Sequence, residues 1–321
     1  MYWRGALMAV LAWILAIPRA LGEENPPLNE QYLHVYLKLN DAEGLQKQHD
    51  YRGALTLFED CYTKFVKIYQ EHAADWEPAL LLKRIQDCRA RIEELQRLIA
   101  ASLPPGETPA PADNFAFVDF APDAPATYPW RKDVAITEFW VGEPGSGPSS
   151  AWDDNWQKNY GGADSPGHRQ GYLPAGHAPK VNPFYVALPF NDLAYPDLAK
   201  QWLPKGWKAP QGARGRPVSA CKDRWVEIKN ESGDICYAQW EDVGPGGGDN
   251  PDYVFGDGRP KNGMAGIDVS PAVAKYLHLQ PEGDGRRISW RFVDAEAVPP
   301  GYWLKYDEEA ILYSAMNAQG R

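Results

Sequence analysis

The sequence predicts a multi-domain chain of α and β parts: an N-terminal helical bundle, a Pro-rich linker and a C-terminal barrel of six short strands. Three observations carry that expectation. Apolar residues recur at helical spacing from Asn29 to Ile99, Pro and Ala then crowd Leu103 to Pro129, and beyond Trp130 short strand-like runs alternate with Gly/Pro-rich loops. The divisions that follow are 1–22, 23–102, 103–129, 130–306 and a tail at 307–321.

Residues 1–22 read as an export signal. Arg4 gives the positive start, Gly5 to Ile17 is almost wholly apolar, Pro18 breaks the run, and Ala20-Leu21-Gly22 offers small residues for cleavage before Glu23. The apolar run falls short of the roughly 20 residues that span a bilayer. A secreted or periplasmic protein with no membrane span in its mature chain is expected. The net charge of −10 argues against nucleic acid as a partner, because phosphate binding needs a basic face.

The helical bundle rests on three runs. Tyr32, Val35, Tyr36 and Leu39 repeat on one face, as do Ala54, Phe58, Cys61, Tyr62, Phe65 and Tyr69, and then Leu81, Ile85, Cys88, Ile92 and Leu95. Pro78 sits early in the third run, where its missing N–H costs little. Ala42 to Leu45 followed by His49 to Leu55 and Phe58 resembles a single tetratricopeptide unit. One unit cannot bury a continuous solenoid core, so a small bundle that offers a protein partner a surface is expected.

The barrel rests on six runs: 134–141, 184–188, 224–229, 236–240, 266–269 and 288–293, with a helix at 271–277. The four cysteines after the signal allow three pairings. Their positions, two in each half, favour Cys61–Cys88 and Cys221–Cys236. Neither pair has metal-site spacing, and no cofactor is expected. Asp164, His168 and His177 lack a fourth zinc ligand in register. The Asp249–Asp257 loop does not match the spacing of an EF-hand.

The segments Trp225 to Asn230, Glu241-Asp242-Val243-Gly244-Pro245, and Gly266-Ile267-Asp268-Val269-Ser270 with the helix behind it resemble a double-psi β-barrel. The families that the chain resembles are rare lipoprotein A and the expansins, over Pro183 to Val293. Val186-Ala187-Leu188-Pro189 is similar to the segment before the first psi loop. Similarity to the three-aspartate domain of lytic transglycosylases adds Asp192 to Asp242 and Asp268. The chain departs from these relatives at Val243, where the lipoprotein turn often has a basic residue, in the long loop 246–265, and in the segment 152–180.

The resemblance implies a polysaccharide, peptidoglycan or a related glycan, as partner. It admits a lytic transglycosylase, which needs one acid because the sugar's own hydroxyl attacks. A glycoside hydrolase needs a second carboxylate. Asp268 is the expected general acid. Strand alternation puts it on the face of Gly266, away from Ile267 and Val269. Asp242, on the face of Trp240 by the same alternation, is the expected second acid or positioning group, partly desolvated by the indole.

Ten of the thirteen tryptophans fall between Trp130 and Trp303. Indoles stack on sugar rings. Trp140, Trp152, Trp156, Trp207, Trp240 and Tyr185 are the candidate substrate contacts. Two other readings stay open: an expansin-like module that binds glycan without cleaving it, and an envelope scaffold in which the helical part binds a protein.

Overall fold

The computed structural model describes residues 26–73, 76–102, 115–118, 128–144, 154–209, 217–263, 265–279 and 287–319. The expected signal at 1–22, most of the expected linker, and Trp152 lie outside the described residues. Among the described residues, no helix is long and apolar enough to cross a membrane.

Three helices open the fold: α1 (Leu28–Lys47), α2 (Tyr51–His72) and α3 (Pro78–Ala101). Asp50 caps α2 by accepting from the Gly53 N–H at 3.0 Å. Their apolar faces close on Tyr32, Phe58, Phe65, Leu80, Leu81 and Ile92, all at most 1% exposed. Residues 307–319 continue a helix that starts within the barrel's expected span. The helix α8 (Tyr302–Gln319) runs from the barrel onto this bundle and adds Leu312 and Ala315 to its core. Glu308 locks it there, accepting from Tyr32 Oη at 2.5 Å and from Arg84 Nε at 2.6 Å. Part of the expected linker also packs. Phe115 and Phe117 meet Tyr62 edge-on, and the Val118 N–H donates to Tyr62 Oη at 2.8 Å.

The β part is a closed barrel of six strands in the order β1-β7-β4-β6-β5-β8. These are β1 (Arg131–Glu138), β4 (Tyr185–Leu188), β5 (Arg224–Lys229), β6 (Ile235–Val243), β7 (Ile267–Val269) and β8 (Arg287–Phe292). The pairs β1–β7 and β4–β6 are parallel, and the rest are antiparallel. A side hairpin of β2 (Arg169–Gln170) and β3 (Leu173–Pro174) follows helix α4 (Asp154–Tyr160). Val186, Leu188, Val226, Ile228, Ile267, Val269, Ile288 and Trp290 fill the core, each at most 2% exposed. Burying each such side chain contributes about 1.5–3 kcal/mol.

The cysteines correct one expectation. Cys61, Cys88, Cys221 and Cys236 are all buried free thiols, so the two expected bridges are not formed. Each sits on an apolar face where it packs as a small hydrophobe. Burial pushes the Cys61 thiol up to about 11 and raises the other three, which keeps them protonated and unreactive.

Candidate active site

Cross-strand register places four residues in one row. Thr137 on β1 pairs with Asp268 on β7, Asp268 pairs with Ala187 on β4, and Ala187 pairs with Asp242 on β6. Residues paired in register share a face of a sheet. The row faces away from Ile267, Val269, Val186 and Leu188, whose side chains fill the barrel. Solvent reaches Thr137, Asp268 and Asp242, while Ala187 is buried between the two acids.

The second acid reaches this row through a β-bulge. Val186 pairs with Trp240 and Ala187 with Asp242, which leaves Glu241 as an extra residue on β6. Simple alternation puts Asp242 on the face of Trp240. The bulge puts it instead on the face of Ala187 and Asp268. Glu241 is held by Lys222 Nζ at 2.9 Å, and the Trp240 indole N–H donates to the Asp242 carbonyl at 2.7 Å. The Val243 N–H donates to Asp242 Oδ1 at 2.7 Å.

The glycine beside the Asp268 carboxyl is Gly244, whereas alternation alone places Gly266 on its face. A side chain at Gly266 meets Tyr253 and Val134, on the packed side. A Cβ at Gly244 stands 2.5 Å from Asp268 Oδ2 and 3.6 Å from the Ala187 methyl. Gly244 and Ala187 therefore bound the space beside the Asp268 carboxyl.

Asp268 accepts a hydrogen bond from Thr137 Oγ1 on its Oδ1. Burial pushes its carboxyl up to about 7. The Thr137 bond opposes that rise, and the charges of Asp242 and Glu143 add to it. The helix behind it, α7 (Pro271–Tyr276), takes its cap from Ser270, whose Oγ accepts from the Val273 N–H at 3.3 Å. Asp268 is thus released from the capping role that an Asp ahead of a helix often fills.

Glu143 is a site residue that sequence reasoning missed. It lies in the turn Trp140–Glu143, closed by a 3.1 Å backbone bond. Burial raises its carboxyl, and a backbone hydrogen bond from Trp140 opposes the rise. The turn is pinned from beneath. Tyr185 Oη accepts from the Val141 N–H at 3.1 Å and donates to Asp164 Oδ2 at 2.9 Å. Arg169 completes the network as the ion-pair partner of the fully buried Asp164. Asp164 is therefore structural.

Several other expected contacts are corrected here. Tyr185 is 1% exposed and serves as that buried post, beyond a ligand's reach. Trp240 is 2% exposed and packs on Phe292 inside the barrel. Asp192 is 8% exposed, with its oxygens taken by Ser219 Oγ at 2.6 Å and the Ala220 N–H at 2.7 Å. It braces the loop before β5 and lies off the Asp268 row. Trp156 is half-buried, stacked on Phe139 with centroids 5.9 Å apart. Trp207 packs on Phe292 and lies under Arg224, on the β5–β8 side. Trp140 is half-buried and shares its turn with Glu143.

A carboxyl held protonated near neutrality can donate to a leaving oxygen, and a second acid beside it can position or assist an attacking group. A scan against protein-family models and a search of curated proteins each return no match for this chain.

Proposed function

We propose that this chain is an exported polysaccharide-active protein whose barrel cleaves a glycosidic bond, in peptidoglycan or a related glycan, with Asp268 as general acid. The observation that carries the reading is the row Asp268–Ala187–Asp242. It joins a carboxyl lifted to about 7 and a second carboxylate on one solvent-reached face. The parallel pairs β1–β7 and β4–β6 in a closed six-stranded barrel support a double-psi barrel of the rare lipoprotein A and expansin type.

Neutral Asp268 donates its proton to the glycosidic oxygen as the bond breaks. Strands lie about 4.8 Å apart, so two strand steps separate the Asp268 and Asp242 backbones by about 10 Å. Both carboxyls project from that frame on the face of Ala187, where a water or a sugar hydroxyl can sit between them. Asp242 then serves as base or positions the attacking group. The turn carrying Trp140 and Glu143 forms one rim, where the Trp140 indole meets a sugar ring. A binding-only module calls for a row of exposed indoles, and the burial of Trp240 and the packing of Trp156 and Trp207 favour the catalytic reading.

The test is digestion of purified peptidoglycan sacculi by wild type and Asp268→Asn, with soluble products analysed by mass. Saccharide fragments with wild type and none with the variant are expected. Anhydro-sugar ends identify transglycosylation, and reducing ends identify hydrolysis. Release of the same fragments by both proteins, or by neither, overturns the reading for this glycan.

A further inference from the structure

The strands that carry the Asp268 row leave it in opposite directions. β1 and β7 run parallel, β4 and β6 run parallel, and β4 is antiparallel to β7. The chain therefore leaves β1 into the Trp140–Glu143 turn at one end of the row. It leaves β4 and β6 into residues 189–195 and 244–249 at the other. These two loops are joined. Phe190 bridges Asp249, and the Asn191 N–H donates to the Gly248 carbonyl at 2.8 Å. A Cβ at Gly248 stands 2.7 Å from Val243 Cγ1 and 3.0 Å from Asn191 Cβ, so a glycine there lets the loops close on the end of β6.

What the joined loops display is apolar. Leu193, Ala194, Tyr195 and Pro196 are consecutive exposed residues at the entry to helix α5 (Pro196–Trp202). Leu193 is 50% exposed, Tyr195 37%, and Val243, next to Asp242 at the end of β6, 36%. The backbone beneath them is tied down. Asn191 Oδ1 accepts from the Leu193 N–H at 3.1 Å and the Ala194 N–H at 2.9 Å, and the Asn191 carbonyl accepts from the Tyr195 N–H at 3.0 Å. A loop held this way cannot fold its apolar side chains inward, and contiguous apolar surface of this kind marks binding grooves. The neighbouring charges are spent on one another. Lys261 holds Asp249 at 2.8 Å, Lys200 holds Asp197 at 3.0 Å, and Asp192 is taken by Ser219 and Ala220.

We infer that Leu193, Tyr195 and Val243 form a second subsite of the same cleft, which holds a further sugar ring of the chain cut at Asp268. The inference rests on the glycan-cleaving reading of the Asp268 row. A Tyr ring offers a sugar a flat apolar face and a polar edge, and the Leu and Val methyls extend that face. With the nearby charges paired, the strip favours a neutral ring over an anionic or cationic one. It is too small to hold a protein, since a stable interface takes roughly 800 Å² from each partner. Trp140 lies beyond one end of the row and this strip beyond the other. The glycan therefore crosses both acids and is gripped on each side of the bond that breaks. A contact to a ring that does not react binds ground and transition states alike, so its loss raises KM.

Two measurements on the full chain test it, with soluble peptidoglycan glycan strands stripped of their stem peptides as the probe. In the first, Asp268→Asn is titrated with the strands while the Leu193 and Val243 methyl signals and the Tyr195 ring signals are followed by NMR. Saturable shifts are expected. In the second, turnover of the same strands by wild type is compared with that by the double variant Leu193→Ser, Tyr195→Ala. KM should rise about tenfold, with kcat moved far less. Circular dichroism melts check that the double variant folds, and the NMR arm reads the unaltered loop without it. Cleavage by wild type with the loop signals unmoved, or with the same KM in the folded double variant, overturns the inference and leaves the Asp268 reading in place. Saturable shifts without cleavage by wild type sink the Asp268 reading and keep the strip as a glycan contact. Neither cleavage nor shifts overturns both. Shifts that grow with protein concentration and need no glycan assign the strip to a second copy of this chain, and overturn the inference as well.

Discussion

Replacing Asp268 by Asn should stabilise the chain at alkaline pH and change little near pH 4. Burial lifts the folded carboxyl from 3.8 to about 7, against the Thr137 hydrogen bond and with help from Asp242 and Glu143. The unfolded chain ionises at about 3.9. Between about pH 4 and 7 the folded state therefore binds more protons than the unfolded one, and stability falls as pH rises through that window. At about 1.4 kcal/mol per pH unit the loss reaches about 4 kcal/mol above pH 7. Solvent reaches the residue, and screening brings the figure to about 2–4 kcal/mol. Asn has no charge to bury and escapes the loss. Urea denaturation at pH 4 and pH 8 reads the effect. The gap between Asp268→Asn and wild type should widen by about 2–4 kcal/mol toward pH 8, with the variant the more stable. A gap that stays constant, or a variant weaker at pH 8, refutes the desolvated acid.

Other outcomes follow from the same geometry. Gly244→Ala sets a methyl 2.5 Å from Asp268 Oδ2, so it should cost about 1–3 kcal/mol in urea denaturation and lower Asp268-dependent turnover. Tyr185→Phe leaves the Val141 N–H and Asp164 without their shared partner in a buried place, a loss of about 1–3 kcal/mol by the same assay. Because the four cysteines are unbridged, dithiothreitol should leave the melting temperature where it is, and a drop on reduction would show that a bridge forms after all.

The strands were legible because each is short, apolar on its core face and bounded by turn residues, and all six expected runs lie in the barrel or overlap its strands. The same alternation misplaced Asp242. Its face depends on the bulge at Glu241, which comes from parallel pairing with β4 and from the ion pair to Lys222, both made with residues distant in the chain. Gly244 reads in the sequence only as part of a turn, since what its missing Cβ spares is Asp268, twenty-four positions on. The last helix carried a readable signal, with Leu304, Ile311, Leu312 and Ala315 at helical spacing, yet it starts where the barrel was expected to end. Phe115 and Phe117 were hidden by the prolines around them, which suggest an extended linker without telling what an aromatic pair inside it will touch.

The central claim is that two acids face one space and that the first is held uncharged there near neutrality. Carbon-13 titration of the Asp268 carboxyl in wild type and in Asp242→Asn tests it most directly. An apparent pKa near 7 that falls when the Asp242 charge is removed is the expected result. A carboxyl that titrates near 4 in both proteins, indifferent to position 242, contradicts it.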